Sequence, residues 1–401
     1  MRVDMSPEDE LCLLLARGQL SAEVREQALG LLATPLRWGL VLGRANQHQV
    51  FPLIYRSLRT LEFHRVPDEV RAQLTAAWRV NAVRNAFLAR ELARLLRLLN
   101  EAGVSVIPLK GVTLAESLHG DAALRVCHDL DILVPPGEVL RARRLILAQG
   151  YTSPFTEEFF VNHQFRTSAD CSLLPQKQAL PYLLEVQWTF LRHSSKDAEA
   201  MQDLWSQARP QDFFGVPAFG LTPEWEFLYL AGHAAYHKWH TLKWLADIHK
   251  LCVSASINWQ QVGEKAERFE LDSVVGPTLT ACAVLFGTPT PPNLSCRALP
   301  PGVHLFPTSL ASSEVWKAPL FYPRLLKRPS ERLRWFAEMF FVARLADLRF
   351  FRLSPALSFL YYFLRPLRLT CKWGWLFLSA GFRRLRQWLR FSSKRGEVSA
   401  P

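Results

Sequence analysis

Two aspartates stand two residues apart at the head of an apolar stretch, HDLDILVP, running from His128 to Pro135. Residues i and i+2 of a strand share a face, so Asp129 and Asp131 project side by side with Leu130 opposite. Carboxylates held that close repel, and burying them unpaired is costly. A divalent cation removes the repulsion; Mg²⁺ (or Mn²⁺) takes oxygen ligands and joins carboxylates to substrate phosphates. In two-metal phosphoryl transfer such ions hold the attacking and leaving oxygens. Glu185, the lone acid of the apolar run LLEVQW, is the candidate third ligand, or the base that deprotonates an acceptor hydroxyl. The alternative for the aspartates is a solvated strand end or a salt bridge to Arg125.

Six other positions could serve the same chemistry. Gly111 follows Lys110 where a short strand, VSVIPLKG, gives way to a helix. A glycine there lets phosphate approach the backbone, and the helix N-terminus favours anions. Lys110 is a cation for a triphosphate, or a lysine snorkelling out of the strand end. Arg125 could clamp phosphate with its planar fork or buttress Asp129. His233, His237 and His240 recur at helical spacing, although HAAYH lacks the glutamate of a zinc-protease helix. The reading adopted is a cleft face on which His233 and His237 contact nucleotide or acceptor; ordinary packing and a metal site are the other two.

The elements that must position these residues follow from periodicity. Short helices are expected over residues 1–75, including one segment from Trp38 to Leu61. A long helix begins near Trp78, with a stripe of Ala86, Leu88, Leu92, Leu95, Leu96 and Leu99, and stops at Asn100 to Gly103. Strands are expected at VSVIPLKG, HDLDILVP and LPYLLEVQWTF, with the helices GVTLAESLHG and EVLRARRLILAQGY between them. From Thr222, an N-cap followed by Pro223, the pattern is helical through Cys252. The Pro-rich stretch from Pro289 to Pro301 reads as a linker or irregular loop.

The run IPLKGVTLAESLHGDAALRVCHDLDILVPP, from Ile107 to Pro136, resembles the polymerase-beta-like nucleotidyltransferase superfamily. It is most similar to a poorly characterised bacterial family that reads L-K-G, then R, then D-I-D-L-L-V. The resemblance extends more loosely through LLEVQW and HAAYHKWHTLKWLADIHKL. It implies an α+β fold, a small mixed-sheet nucleotidyltransferase core flanked by N-terminal and C-terminal helical regions. The expected division is 1–75 helical, 76–215 the core, 216–290 a helical substrate or nucleotide side, and 291–401 a basic, aromatic helical region. The glycine of the superfamily motif falls on Gly111, the paired catalytic acids on Asp129 and Asp131, and the third acid on Glu185. Val112 replaces the usual second small residue, the spacing from Gly111 to Asp129 is long, and Gln187 stands where relatives often have His. The implied reaction moves a nucleoside monophosphate from a nucleoside triphosphate to an acceptor, which could be a sugar, peptide, protein or RNA; no DNA is expected. Two further functions stay open: an inactive nucleotide-binding or membrane-associated accessory protein, and an RNA-modifying transferase.

Composition bounds the setting. The chain has 401 residues, 49% apolar, and a net charge of +12. From Phe321 onward 17 Lys and Arg face 4 Asp and Glu, so the remainder is close to neutral. Seven scattered cysteines without a C-x-x-C pair suit a reduced cytoplasmic chain and argue against a cysteine zinc site. The first residues carry early acids and a short apolar run, unlike a signal peptide. No uncharged apolar run reaches the ~18–20 residues of a spanning helix. Within 372–391, Trp375, Leu378, Phe382, Leu385 and Leu389 would share a helix face flanked by Arg383, Arg384, Arg386 and Arg390. That suits peripheral contact with the inner face of a membrane, packing on the protein's own body, or nucleic acid.

Overall fold

The computed structural model describes residues 5–176, 180–190, 194–301, 303, 305, 321–343, 347, 350–351, 353 and 355–371. They fall into two compact units, one from Met1–Ser153 with Ser168–Arg332, the other from Pro154–Thr167 with Leu333–Pro401. The segment 372–391, on which the membrane expectation rests, lies outside the described residues. Among the described residues no helix is long and apolar enough to cross a membrane.

The first unit opens with four short helices: α1 (Pro7–Leu15), α2 (Ala22–Leu32), α3 (Trp38–Gln47) and α4 (Phe51–Thr60). The hydroxyl of Ser6 accepts the backbone N–H of Asp9 to cap α1, and Pro7 with three acids fills its first turn. The expected single segment from Trp38 to Leu61 breaks at His48–Val50, where Gln49 takes a positive φ of 56°. Helix α5 (Asp68–Glu101) is longer than its pattern suggests. Leu88, Leu92, Leu95, Leu96 and Leu99 are buried as expected, but Ala86 is exposed and Asn81 and Asn85 turn inward instead.

A five-stranded mixed sheet follows, in the order β1-β2-β5-β4-β3. Its strands are β1 (Ile107–Leu109), β2 (Asp129–Leu133), β3 (Tyr151–Thr152), β4 (Asp170–Pro175) and β5 (Leu183–Gln187). Strand β2 pairs antiparallel with β1 and parallel with β5, placing Asp131 opposite Leu109 on one side and Glu185 on the other. Leu130, Ile132, Leu184 and Val186 are buried. Between β1 and β2 lies α6 (Gly111–His119), and α7 (Val139–Ala148) follows β2. Strands β3 and β4 were not among the expected elements; β3 has only two residues, too short to show a period.

The chain then forms α8 (Asp197–Gln207) and a hairpin of β6 (Arg209–Phe213) and β7 (Val216–Gly220), tied to the sheet side by Phe219 N–H to Val106 O at 3.0 Å. Strand β6 is almost wholly exposed and contains Pro210, which hides it from an apolar pattern search. The helical stretch after Thr222 is two helices, α9 (Pro223–Tyr236) and α10 (Leu242–Ser254). They part at Lys238 and Trp239, both at positive φ. Helices α11 (Trp259–Arg268) and α12 (Asp272–Phe286) complete a core shared with α1–α4. The stretch 289–301 is irregular, but Leu294 and Leu299 pack against this core, so it is a covering loop rather than a free linker.

In the second unit, Asp347 is buried between Arg365 and Arg368, and Arg365 also donates to Met339 O at 2.7 Å. This pairing explains how an aromatic, arginine-rich stretch buries charge.

Candidate active site

Strand pairing brings three carboxylates to one spot. Asp129 and Asp131 share a face of β2, and Glu185 sits directly across from Asp131 on β5. One oxygen from each lies within 4.8 Å of the others. Among the described residues this is the one group of three or more His, Cys, Asp or Glu close enough to hold a metal ion. Asp131 is 2% exposed, whereas 35% of the Asp129 side chain meets solvent, so the cluster has a closed floor and an open lip.

Lys110 reaches into the cluster. Its ammonium donates to Asp131 Oδ2 at 2.6 Å and Asp129 Oδ2 at 3.4 Å, and Gln187 Nε2 donates to Asp131 Oδ1 at 2.9 Å. The backbone forces this aim. Lys110 has φ 22° and ψ −149°, and Gly111 has φ 62°. The positive φ is one that side chains rarely adopt, which favours glycine here, while a Cβ would lie at an ordinary 3.5 Å from Asp129 O.

Burial opposes every charge here. It raises Asp131 well above the usual carboxylate range; Lys110 pulls it back, while Asp129 and Glu185 add repulsion. Glu185 is raised for the same first reason. Asp129 ends below its ordinary value, because Lys110, Lys243 and Arg125 outweigh its desolvation. Burial also works against the Lys110 charge, but Asp131 and its neighbours more than restore it, leaving the ammonium firmly protonated. One lysine against three carboxylates leaves an acidic excess. An all-oxygen donor set with that excess fits a hard divalent cation.

The other anticipated residues are distributed around this centre. Arg125 is 4% exposed, and its guanidinium donates to Asp247 Oδ2 at 2.9 Å, with His119 on the other Asp247 oxygen at 3.5 Å. Asp247, rather than Asp129, is its ion-pair partner. Asn81 and Asn85 of α5 hold the carbonyl of Arg125, at 3.1 and 2.7 Å. The three histidines meet on Trp244: the rings of His233, His237 and His240 lie 5.2, 4.6 and 5.4 Å from its ring, and His237 is stacked. The chain turn after α9, not one continuous helix, brings His240 into this group. Burial first, then neighbouring cations, hold His233 well below the ordinary histidine range; burial and then His240 hold His237 down at about 4.

Three contributors were not foreseen. Tyr229 is buried on α9 four residues before His233; burial raises its hydroxyl, and Lys110, Asp131 and Glu185 all act on it. Lys243 donates to Val126 O at 3.1 Å and to Gln49, and burial lowers it to about 8. Trp244 is the platform for the histidines. Helical spacing from His233 and His237 would have suggested Tyr229; nothing local marks Lys243.

Residues 34–287 match the family of uncharacterised nucleotidyltransferases. Among solved structures the chain is similar to an antigenic nucleotidyltransferase-like protein from Paracoccidioides brasiliensis, at 12% identity and a TM-score of 0.32, over 50% of this chain and 96% of that one. No curated protein matches the chain. The family match spans more than half of the sequence, and the chain belongs to that family of uncharacterised nucleotidyltransferases.

Proposed function

We propose that this member of a nucleotidyltransferase family transfers a nucleoside monophosphate from a nucleoside triphosphate to an acceptor, in the manner of the polymerase-beta-like superfamily and in a bacterial setting. The observation that carries the reading is the trio Asp129, Asp131 and Glu185 on adjacent parallel strands at the N-terminal end of α6. A divalent cation, Mg²⁺ or Mn²⁺, would be held by these three residues and would neutralise and orient the phosphates. Gly111 lets the α-phosphate approach the backbone, where the α6 N-terminus favours its charge. Glu185 takes the proton from the acceptor hydroxyl as that oxygen bonds to the α-phosphorus and pyrophosphate departs. Lys110 bridges Asp129 and Asp131 and offsets their repulsion, a role a bound cation would share. His233 and His237, neutral at physiological pH, offer ring faces and nitrogens to base or acceptor.

A second reading rests on Lys110 alone. A buried ammonium already bonded to two of the carboxylates could serve as the permanent counter-ion of a nucleotide-binding protein without catalysis.

Binding of the four nucleoside triphosphates with and without Mg²⁺, on wild type and Asp129→Asn/Asp131→Asn, separates the two. Binding that needs the metal and drops at least tenfold in the variant is expected. Equal binding without metal or with both aspartates neutralised removes the catalytic reading. The acceptor class, and a place at the inner face of the membrane through 372–391, stay proposals on the sequence pattern.

A further inference from the structure

A cavity of about 640 Å³ in the first unit has a basic lining. Arg17 follows α1, Ser21 caps α2, Arg56 and Thr60 come from α4, and His249 and Lys250 from α10. No acid lines it. Arg56 donates to the backbone carbonyl of His119 at 3.0 Å, and Lys250 to the side-chain oxygen of Gln19 at 2.6 Å. Both acceptors are neutral. The Nε of Arg17 is buried with no hydrogen-bond partner, and no carboxylate lies within ion-pair distance of it among the described residues; the exposed Glu23 acts on it only from farther off. His249 is kept neutral by burial and then by Arg17 and Lys250, with Nδ1 at 2.8 Å from the Thr288 hydroxyl.

Arg17 and Arg56 are half-buried and Lys250 is buried, and the buried Arg17 Nε lacks the partner that a polar group away from water ordinarily has. Three cations converging from three helical segments on one cavity therefore point to an anion. Arginine forks with serine and threonine hydroxyls suit the several oxygens of a phosphoryl group, and the volume suits a small molecule. The place is separate from the carboxylate cluster. Gly111 begins α6 at the carboxylates, and His119, whose carbonyl Arg56 holds, ends it eight residues later, about 12 Å along the axis.

We propose that this cavity binds a phosphoryl-bearing small molecule at a site distinct from the carboxylate centre. The proposal stands without the nucleotidyl-transfer reading. It is tested by calorimetric titration of the full chain in EDTA with inorganic phosphate, pyrophosphate and ribose 5-phosphate. Wild type is expected to bind at least one of them. Binding should weaken tenfold or more in Arg17→Gln/Arg56→Gln and in Lys250→Gln, and persist in Asp129→Asn/Asp131→Asn. Tighter binding of ribose 5-phosphate than of the inorganic anions identifies a phosphorylated metabolite; the reverse identifies free phosphate or pyrophosphate, and either supports the site. Absence of binding by wild type, or equal binding by the folded cavity variants, overturns it. Should the double variant fail to fold, the Lys250→Gln comparison decides alone.

Discussion

The two ends of α6 handle charge in opposite ways. At Gly111 three carboxylates gather around a lysine that belongs to the same turn; at His119 three cations gather around a space with no acid. The first end carries part of its own counter-charge, so its floor holds together in the ligand-free chain. The second has no acid in its lining, and Arg56 acts against the charge on Lys250 until something anionic arrives. A built-in counter-ion marks a site that must stay shaped before its ligand comes, and a missing one marks the ligand's own contribution.

The most severe way to break the comparison is to take from Lys110 its nearest carboxylate. Asp131→Leu removes its 2.6 Å partner from a 2%-exposed position. Breaking such a buried pair costs about 3–5 kcal/mol, expected as a lower urea midpoint at unchanged slope. Lys110→Met added to Asp131→Leu should recover only part of the loss, because Asp129 and Glu185 then lack the ammonium that offsets their charge.

Glu226 gives a middle-sized effect. It lines a second cavity of about 350 Å³ that is bordered by Lys110 at one side and Lys250 at the other. Burial, with Asp247 adding to it, raises this glutamate from 4.5 to about 7. The folded state therefore holds the proton more tightly than the unfolded chain. Stability from this group is complete below pH 4.5 and lost as pH rises through 7. Glu226→Gln should flatten that decline, with a gain on the order of 2 kcal/mol at pH 8 and none at pH 4. Chemical denaturation at the two pH values checks it.

The smallest effect sharpens the comparison. Lys250→Gln should stabilise the ligand-free chain by about 0.5–1 kcal/mol at low ionic strength, the reverse of Asp131→Leu, because burial and then Arg56 disfavour the Lys250 charge. The gain should fade in 1 M salt. Thermal melts at two salt concentrations, without phosphate, read it directly; destabilisation at low salt would mean the cavity cations are not in conflict.

How much of this was legible follows from distance along the chain. Asp129 and Asp131 announce themselves because a period-2 rule needs only three residues. Glu185 is visible because its strand is otherwise apolar. The target of Lys110 was hidden, since it depends on a positive φ at a residue whose type does not advertise one. Arg125 offered two sequence readings, phosphate or Asp129, and its ion pair is with Asp247, which only tertiary packing brings near. The break between α9 and α10 falls at Lys238 and Trp239, with no glycine or proline to announce it. The basic cavity was invisible for the same reason: Arg17, Arg56 and Lys250 each look like ordinary helical surface cations until the helices meet.

Helix α5 sets a rule for how this sequence can change length. Asn81, Arg84 and Asn85 grip the carbonyls of residues 122–127 ahead of Asp129, while farther along Glu91 accepts from the Tyr151 hydroxyl at 2.7 Å. Each inserted residue rotates everything beyond it by about 100°. A single insertion between Asn85 and Glu91 would uncouple the loop that aims the aspartates from the strand that closes the sheet; seven residues would restore the direction to within about 20° but shift Glu91 by about 10 Å along the axis. The helix thus acts as a ruler as well as a gear, and the length between its two grips is fixed.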